Sequence, residues 1–151
     1  MTTHTFATTL TWTGSTGAGY RRYSRAHQVV PRGAAGIAVS ADAAFLGDPA
    51  LANPEQLLLA AASSCQLLSF LAVAARGGVD VVSCTDGATA VLSGDRDPVR
   101  LTRIALRPVI AVRGASTAAV EQLVRAAHDG CYVANSLAVP VDVEPVVRTV
   151  P

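Results

Sequence analysis

The chain has 151 residues, 50% of them hydrophobic and 15% charged, with a formal net charge of +1. That is the composition of a single globular domain, 1–151, with a real core; it excludes a disordered chain and a basic nucleic-acid-binding surface. All twelve basic residues are Arg, which also excludes lysine chemistry such as Schiff-base formation.

The N-terminal MTTHTFATTLTW lacks the basic stretch and apolar run of a signal peptide, which points to a cytoplasmic protein. Residues 4–13 alternate, with His4, Phe6, Thr8, Leu10 and Trp12 on one side and mostly Thr on the other, so they predict a half-buried strand. GSTGAG at 14–19 is a turn. Residues 20–31, YRRYSRAHQVVP, read as a second strand carrying Arg21, Arg22, Arg25 and His27, and 36–40 as a short third. A loop over 41–52 leads to the most distinctive stretch of the chain.

That stretch, 53–77, is NPEQLLLAAASSCQLLSFLAVAARG. Asn53 suits a helix cap, Pro54 the first helical position and Glu55 the first turn, while Arg76, Gly77 and Gly78 end the pattern. Between them nearly every residue is apolar, so the helix is expected to be buried on nearly every face. It is long enough to span a membrane, but it is rich in Ala and Ser, holds Gln66 and lies among amphipathic strands. A soluble core helix is the better reading.

Residues 79–92 form a strand candidate with Val82, Cys84, Ala88, Ala90 and Leu92 on one face. After the turn SGDRDP at 93–98, residues 100–113 place Ile104, Leu106, Ile110 and Val112 inward and Arg103, Arg107 and Arg113 outward, completing an antiparallel hairpin. Ser116 caps a second helix with Val120, Leu123, Val124 and Ala127 at helical spacing, and Gly130 stops it. Cys131 and a short turn, YVANSL, follow. Residues 138–150 read as a last strand, at an edge because of Pro140 and Pro145. Strand runs with helices set between them give an α+β fold.

Three cysteines are too few for a disulfide framework. Cys84, on the apolar face of a strand, reads as packing. Cys65, in the middle of the long helix, is either packing or a reactive thiol. Burial alone would raise its pKa, so a functional Cys65 needs a positive neighbour. Cys131 is in phase with Val124 and Ala127 and can point inward. It also stands where the N–H groups of the following turn favour a thiolate, leaving packing and function both open. His128 either interacts with the last carbonyls of its helix or neighbours Cys131. No CxxC or HxxxH pair offers a zinc site, and no nucleotide fingerprint is present, so no bound cofactor is expected.

The residues that carry these features resemble a family. Asn53-Pro54-Glu55-Gln56-Leu57, then Ala61-Ala62-Ser63-Ser64-Cys65, is similar to the NPE-[EQ]-L…aa.aC segment of OsmC/Ohr proteins, the osmotically induced and organic-hydroperoxide-resistance proteins. Ala127-His128-Asp129-Gly130-Cys131, with Val133 and Asn135, resembles that family's AH-x-x-C-P-[VY]-S-N motif. Tyr20 to His27 is similar to the YR-x-YSR-x-H stretch of one OsmC-like branch.

The resemblance implies antiparallel sheets around long central helices in an intertwined homodimer. It implies a thiol peroxidase acting on organic hydroperoxides. Cys65 would be the peroxidatic thiolate and Cys131 would resolve its sulfenic acid as a disulfide. An external dithiol, a lipoyl protein or a thioredoxin-like protein, would reduce the pair. An Arg would lower the pKa of Cys65 and a Glu would orient that Arg. Glu55 matches the family Glu. It lies ten helical residues from Cys65, about 15 Å, so either Glu55 of a second chain completes the site or an Arg bridges the gap. Leu46 stands where related branches carry the Arg, which leaves Arg25, then Arg22 and Arg21, as candidates. Tyr132 replaces the family's Pro after the second cysteine. These departures keep two alternatives: a non-catalytic binder of apolar ligands, and a redox sensor switched by the Cys65–Cys131 disulfide.

Overall fold

A computed structural model describes residues 2–95 and 97–151, so Arg96, within the turn expected at 93–98, lies outside the described residues. The chain forms two compact units, Met1–Leu57 and Leu58–Pro151.

In the first unit, β1 (Thr8–Thr11), β2 (His27–Pro31) and β3 (Ile37–Val39) form an antiparallel sheet in the order β1-β2-β3. The expected strand over 4–13 shrinks to four residues and is not half-buried: Phe6 is 92% and Leu10 61% exposed. The strand expected over 20–31 begins only at His27. Residues 20–23 turn instead, with the Arg22 N–H donating to the Gly19 carbonyl at 3.0 Å, so Arg21, Arg22 and Arg25 stand outside the sheet. After β3, the buried Ser40 accepts from the Asp48 N–H at 3.0 Å, and Asp42 caps a 3-10 turn, Ala43–Phe45. Gly47 is required there because a Cβ would run into the Ala41 carbonyl.

Helix α1 (Pro54–Arg76) begins where the sequence places it. Asn53 Oδ1 accepts from the Gln56 N–H at 2.8 Å, and Gln56 Oε1 accepts from the Asn53 N–H at 3.0 Å. This is a reciprocal capping box that satisfies two otherwise orphaned donors. By length and a mean hydropathy of 2.0 the helix could cross a membrane. Burial on nearly every face is not found: within the chain only the i, i+4 stripe Ala62, Gln66, Phe70 and Ala74 is buried. Leu68, on another face, remains 63% exposed.

The second unit packs that stripe against helix α2 (Thr117–Asp129) and a sheet of β4 (Asp80–Asp86), β7 (Pro108–Arg113) and β9 (Val146–Thr149). Phe70, Ala74, Ile110, Val112, Val120, Val124 and Ala127 form its core. Ser116 caps α2 through the Ala119 N–H, as expected. Burying Phe70 there contributes roughly 1.5–3 kcal/mol.

A further sheet holds β5 (Thr89–Ser93), β6 (Arg100–Leu106) and β8 (Val141–Val143). The hairpin expected from 79–92 and 100–113 is therefore present but broken across two sheets. The break has a local cause. The Arg107 N–H donates at 2.7 Å to Asp86 Oδ1 instead of the ladder, and Pro108 has no N–H to offer. The last strand breaks at the same level, at Glu144 and Pro145, and both its halves lie at sheet edges, as Pro140 and Pro145 suggested. These halves pair in parallel with β6 and β7, so the two sheets are mixed rather than wholly antiparallel. Ile104, Leu106, Ile110 and Val112 are buried as expected. Arg103, Arg107 and Arg113 point outward into ion pairs with Asp142, Glu144 and Asp80.

Candidate active site

Two stretches meet in the second unit. Helix α1 carries Cys65 in its middle. Helix α2 ends at Gly130, and Cys131 starts the five-residue helix α3 (Tyr132–Ser136). The two thiols are hydrogen-bonding neighbours although 66 residues separate them in sequence. Both are free, with Cys65 half-buried and Cys131 only 1% exposed.

Their surroundings act in opposite directions. For Cys65, burial opposes the thiolate, but hydrogen bonds outweigh it and bring the pKa below the usual thiol value. The donors are the Val133 backbone, the Cys131 thiol, the Tyr132 backbone and the Ser69 side chain. For Cys131, burial raises the pKa, the Ala134 backbone pulls it down, and the hydrogen bond to Cys65 and the Cys65 charge raise it again. The N–H groups of the following turn do favour a Cys131 thiolate, as expected, but burial and the neighbouring sulfur outweigh them and the balance is upward. The Val133 N–H serves both sulfurs, whereas that of Tyr132 serves Cys65 and that of Ala134 serves Cys131. Within this unit the lowering at Cys65 comes from hydrogen-bond donors, not from the positive side chain expected beside it. Ser69, one turn on from Cys65, was missed by sequence reasoning; its i, i+4 spacing was the available signal.

A groove of about 560 Å³ runs past Cys65, walled by Ala61, Leu68, Ala72, Val73, Ala126 and Tyr132, with Arg76 also lining it. Arg76 read only as a helix-end residue; its spacing of eleven from Cys65, three turns along one face, was the signal. Cys84 is half-buried against the core and outside the groove, with its pKa raised by burial and by the Asp86 charge, consistent with packing. Among the described residues no group of three His, Cys, Asp or Glu side chains is placed to hold a metal.

Arg25, Arg22 and Glu55 belong to the first unit. Arg25 is held between aromatic rings, its guanidinium 4.2 Å from the Tyr23 centroid and 5.0 Å from that of Tyr20. It donates to the carbonyls of Tyr20 at 2.9 Å, Tyr23 at 3.2 Å and Leu46 at 3.4 Å. Arg25 therefore touches the backbone of Leu46, the position that lacks the expected Arg. Arg22 is exposed, and Glu55 is half-buried in the first turn of α1.

The fold and this pair define the molecule as an α+β protein with two adjacent thiols of unlike acidity. The OsmC-like protein family model matches residues 47–145, and the chain belongs to that family. An OsmC-like protein of unknown function from Vibrio cholerae O1 biovar eltor strain N16961 is 30% identical. The match covers 95% of this chain and 100% of that one, with a TM-score of 0.85. An organic hydroperoxide resistance protein from Elizabethkingia anophelis shares the fold at 20% identity, with 99% of each chain covered and a TM-score of 0.71. So does an OsmC-like protein from Mycoplasma pneumoniae, at 14% identity, 98% and 99% coverage and a TM-score of 0.75. No curated protein matches the chain.

Proposed function

We propose that the protein is a thiol peroxidase that reduces organic hydroperoxides to alcohols. The observation that carries this reading is the placing of Cys65, its pKa lowered by hydrogen bonds, on the groove beside a buried Cys131 whose pKa is raised. The Cys65 thiolate attacks the outer oxygen of the hydroperoxide. The O–O bond breaks, the alkoxide takes up a proton and leaves as the alcohol, and Cys65 becomes a sulfenic acid. Cys131 then attacks that sulfur, and its thiol proton leaves with the hydroxyl as water. A dithiol reductant, a lipoyl or thioredoxin-like protein, returns the disulfide to two thiols. The apolar walls of the groove suit the organic part of such a substrate.

The reading extends to an assembly. A second copy of the chain covers the exposed apolar face of α1 and gives each site the Glu55 that its own helix holds about 15 Å from Cys65. Arg25, or Arg22 beside it, supplies the guanidinium that stabilises the leaving alkoxide; the contact of Arg25 with Leu46 supports Arg25 first. Sedimentation as a monomer at micromolar concentration would remove this part of the proposal. The reaction is assigned to the cytoplasm, where dithiols keep such cysteines reduced, and cell fractionation checks that assignment.

Turnover tests the central claim. Reduced protein mixed with cumene hydroperoxide and a dithiol should consume peroxide, and Cys65→Ser should fall to the uncatalysed rate. Equal consumption by the two proteins sinks the enzyme reading and leaves the ligand-binding alternative.

A further inference from the structure

Gln66 interrupts an otherwise apolar stripe and is only 4% exposed. Burying an amide costs free energy unless both its ends are bonded, and here both are. Gln66 Nε2 donates to the Val124 carbonyl at 3.2 Å, and Gln66 Oε1 lies 3.3 Å from His128 Nδ1. A carbonyl can only accept, so the Val124 bond fixes which way the amide faces. Oε1 then faces His128, and His128 Nδ1 must carry the hydrogen and donate.

The ends of this bridge are informative. Gln66 adjoins Cys65 in sequence. The carbonyl of His128 accepts the Cys131 N–H at 3.0 Å, and Cys131 in turn accepts from the Asn135 N–H at 3.0 Å. Asn135 Nδ2 donates at 2.9 Å to the Asp129 carbonyl, closing the loop on itself. A continuous set of hydrogen bonds therefore runs from the residue beside one thiol to the backbone of the other. An apolar side chain at position 66 would satisfy the core as well; only the bridge gives the amide a purpose.

We propose that Gln66 and His128 are positioning residues that set the spacing of Cys65 and Cys131. The clamp holds the buried thiol where it captures the Cys65 sulfenic acid before a second hydroperoxide converts it to sulfinic acid. Its catalytic consequence rests on the peroxidase reading above, but the spacing itself does not.

The test separates the two. Reduced protein is equilibrated with glutathione and glutathione disulfide: two protein thiols and one glutathione disulfide give the Cys65–Cys131 bond and two glutathione thiols. The ratio of products measures the effective concentration of one thiol at the other. Gln66→Met keeps the volume and loses both hydrogen bonds, and it should lower that effective concentration about tenfold. His128→Phe should do the same, while His128→Asn, whose amide can donate from the Nδ1 position, should recover most of the loss. Melting temperatures are followed alongside, since a purely structural role would move them without moving the ratio. Equal effective concentrations in folded wild type and Gln66→Met would overturn the clamp, whether or not peroxide is consumed. In turnover, mass spectrometry should find Cys65 sulfinic acid in Gln66→Met at about tenfold lower peroxide than in wild type. Failure of the wild type to consume peroxide removes the enzyme reading alone.

Discussion

Cys65 and Cys131 share a hydrogen bond and differ in almost everything else. One is half-buried on a groove, with backbone and hydroxyl donors turned toward its sulfur. The other is sealed in the core, and the charge of its neighbour works against its own ionisation. Both sulfurs receive backbone donors, but only Cys65 also receives side-chain donors, from Cys131 and Ser69, so thiol acidity here follows from the balance of donors against burial. The contrast also suits a division of labour. The nucleophile must be a thiolate before the reaction, whereas the resolving thiol can keep its proton until the sulfenic hydroxyl departs as water.

Removing one side of the contrast has the largest effect. Cys131→Ser should consume one equivalent of hydroperoxide per chain in a fast phase that leaves Cys65 sulfenic acid, then only a slow second equivalent as Cys65 sulfinic acid accumulates in the mass spectrum. Continued turnover at the wild-type rate would mean that Cys131 does not resolve.

Weakening the contrast should cost less. Cys65 has a lowered pKa, so it keeps more thiolate than an ordinary cysteine as pH falls below the usual thiol value. Its reactivity is lost only as pH drops through the lowered value. Ser69→Ala removes one donor, so the pH midpoint of Cys65 alkylation should move upward. Ser69 is the weakest of the donors to a half-buried thiol, and the higher pKa makes the remaining thiolate more nucleophilic, so the alkylation rate at neutral pH should fall about threefold. An unchanged midpoint would leave the backbone N–H groups and the Cys131 thiol as the whole cause.

The smallest effect sharpens the comparison from outside. Cys84 is a third free thiol, raised in pKa by burial and by Asp86, half-buried against the core and outside the groove. Cys84→Ala should leave peroxide consumption within about twofold of wild type in the same assay. A larger loss would show that the two-thiol description is incomplete.

Much of the scaffold was legible from local signals. Asn53 announces a helix start because a side-chain oxygen three residues before an unpaired N–H can reach it within one turn. The alternation of Ile104, Leu106, Ile110 and Val112 identifies buried positions because strand side chains alternate by geometry alone. Arg25 shows where such reasoning stops. The run YRRYSRAH looks like a strand, yet Tyr20 and Tyr23 pack on the guanidinium and the chain turns. The apolar face of α1 gives a similar lesson. Composition says that the face avoids water, but composition does not name what covers it. Ser69 and Arg76 needed only the helical period to be found, while the N–H groups of Val133 and Tyr132 left no trace in residue identity.

The sequence by itself determined the α+β class, the capped central helix, the second helix ending at Gly130 and the two cysteine motifs, because capping, periodicity and glycine stops are short-range effects. Tertiary structure alone decided that the hairpin breaks at Arg107 and Pro108, that Gln66 bridges to His128, and that N–H groups at the start of α3 serve the thiol of α1. Those outcomes depend on which distant backbone groups come within hydrogen-bonding reach, and only the packed chain sets that distance.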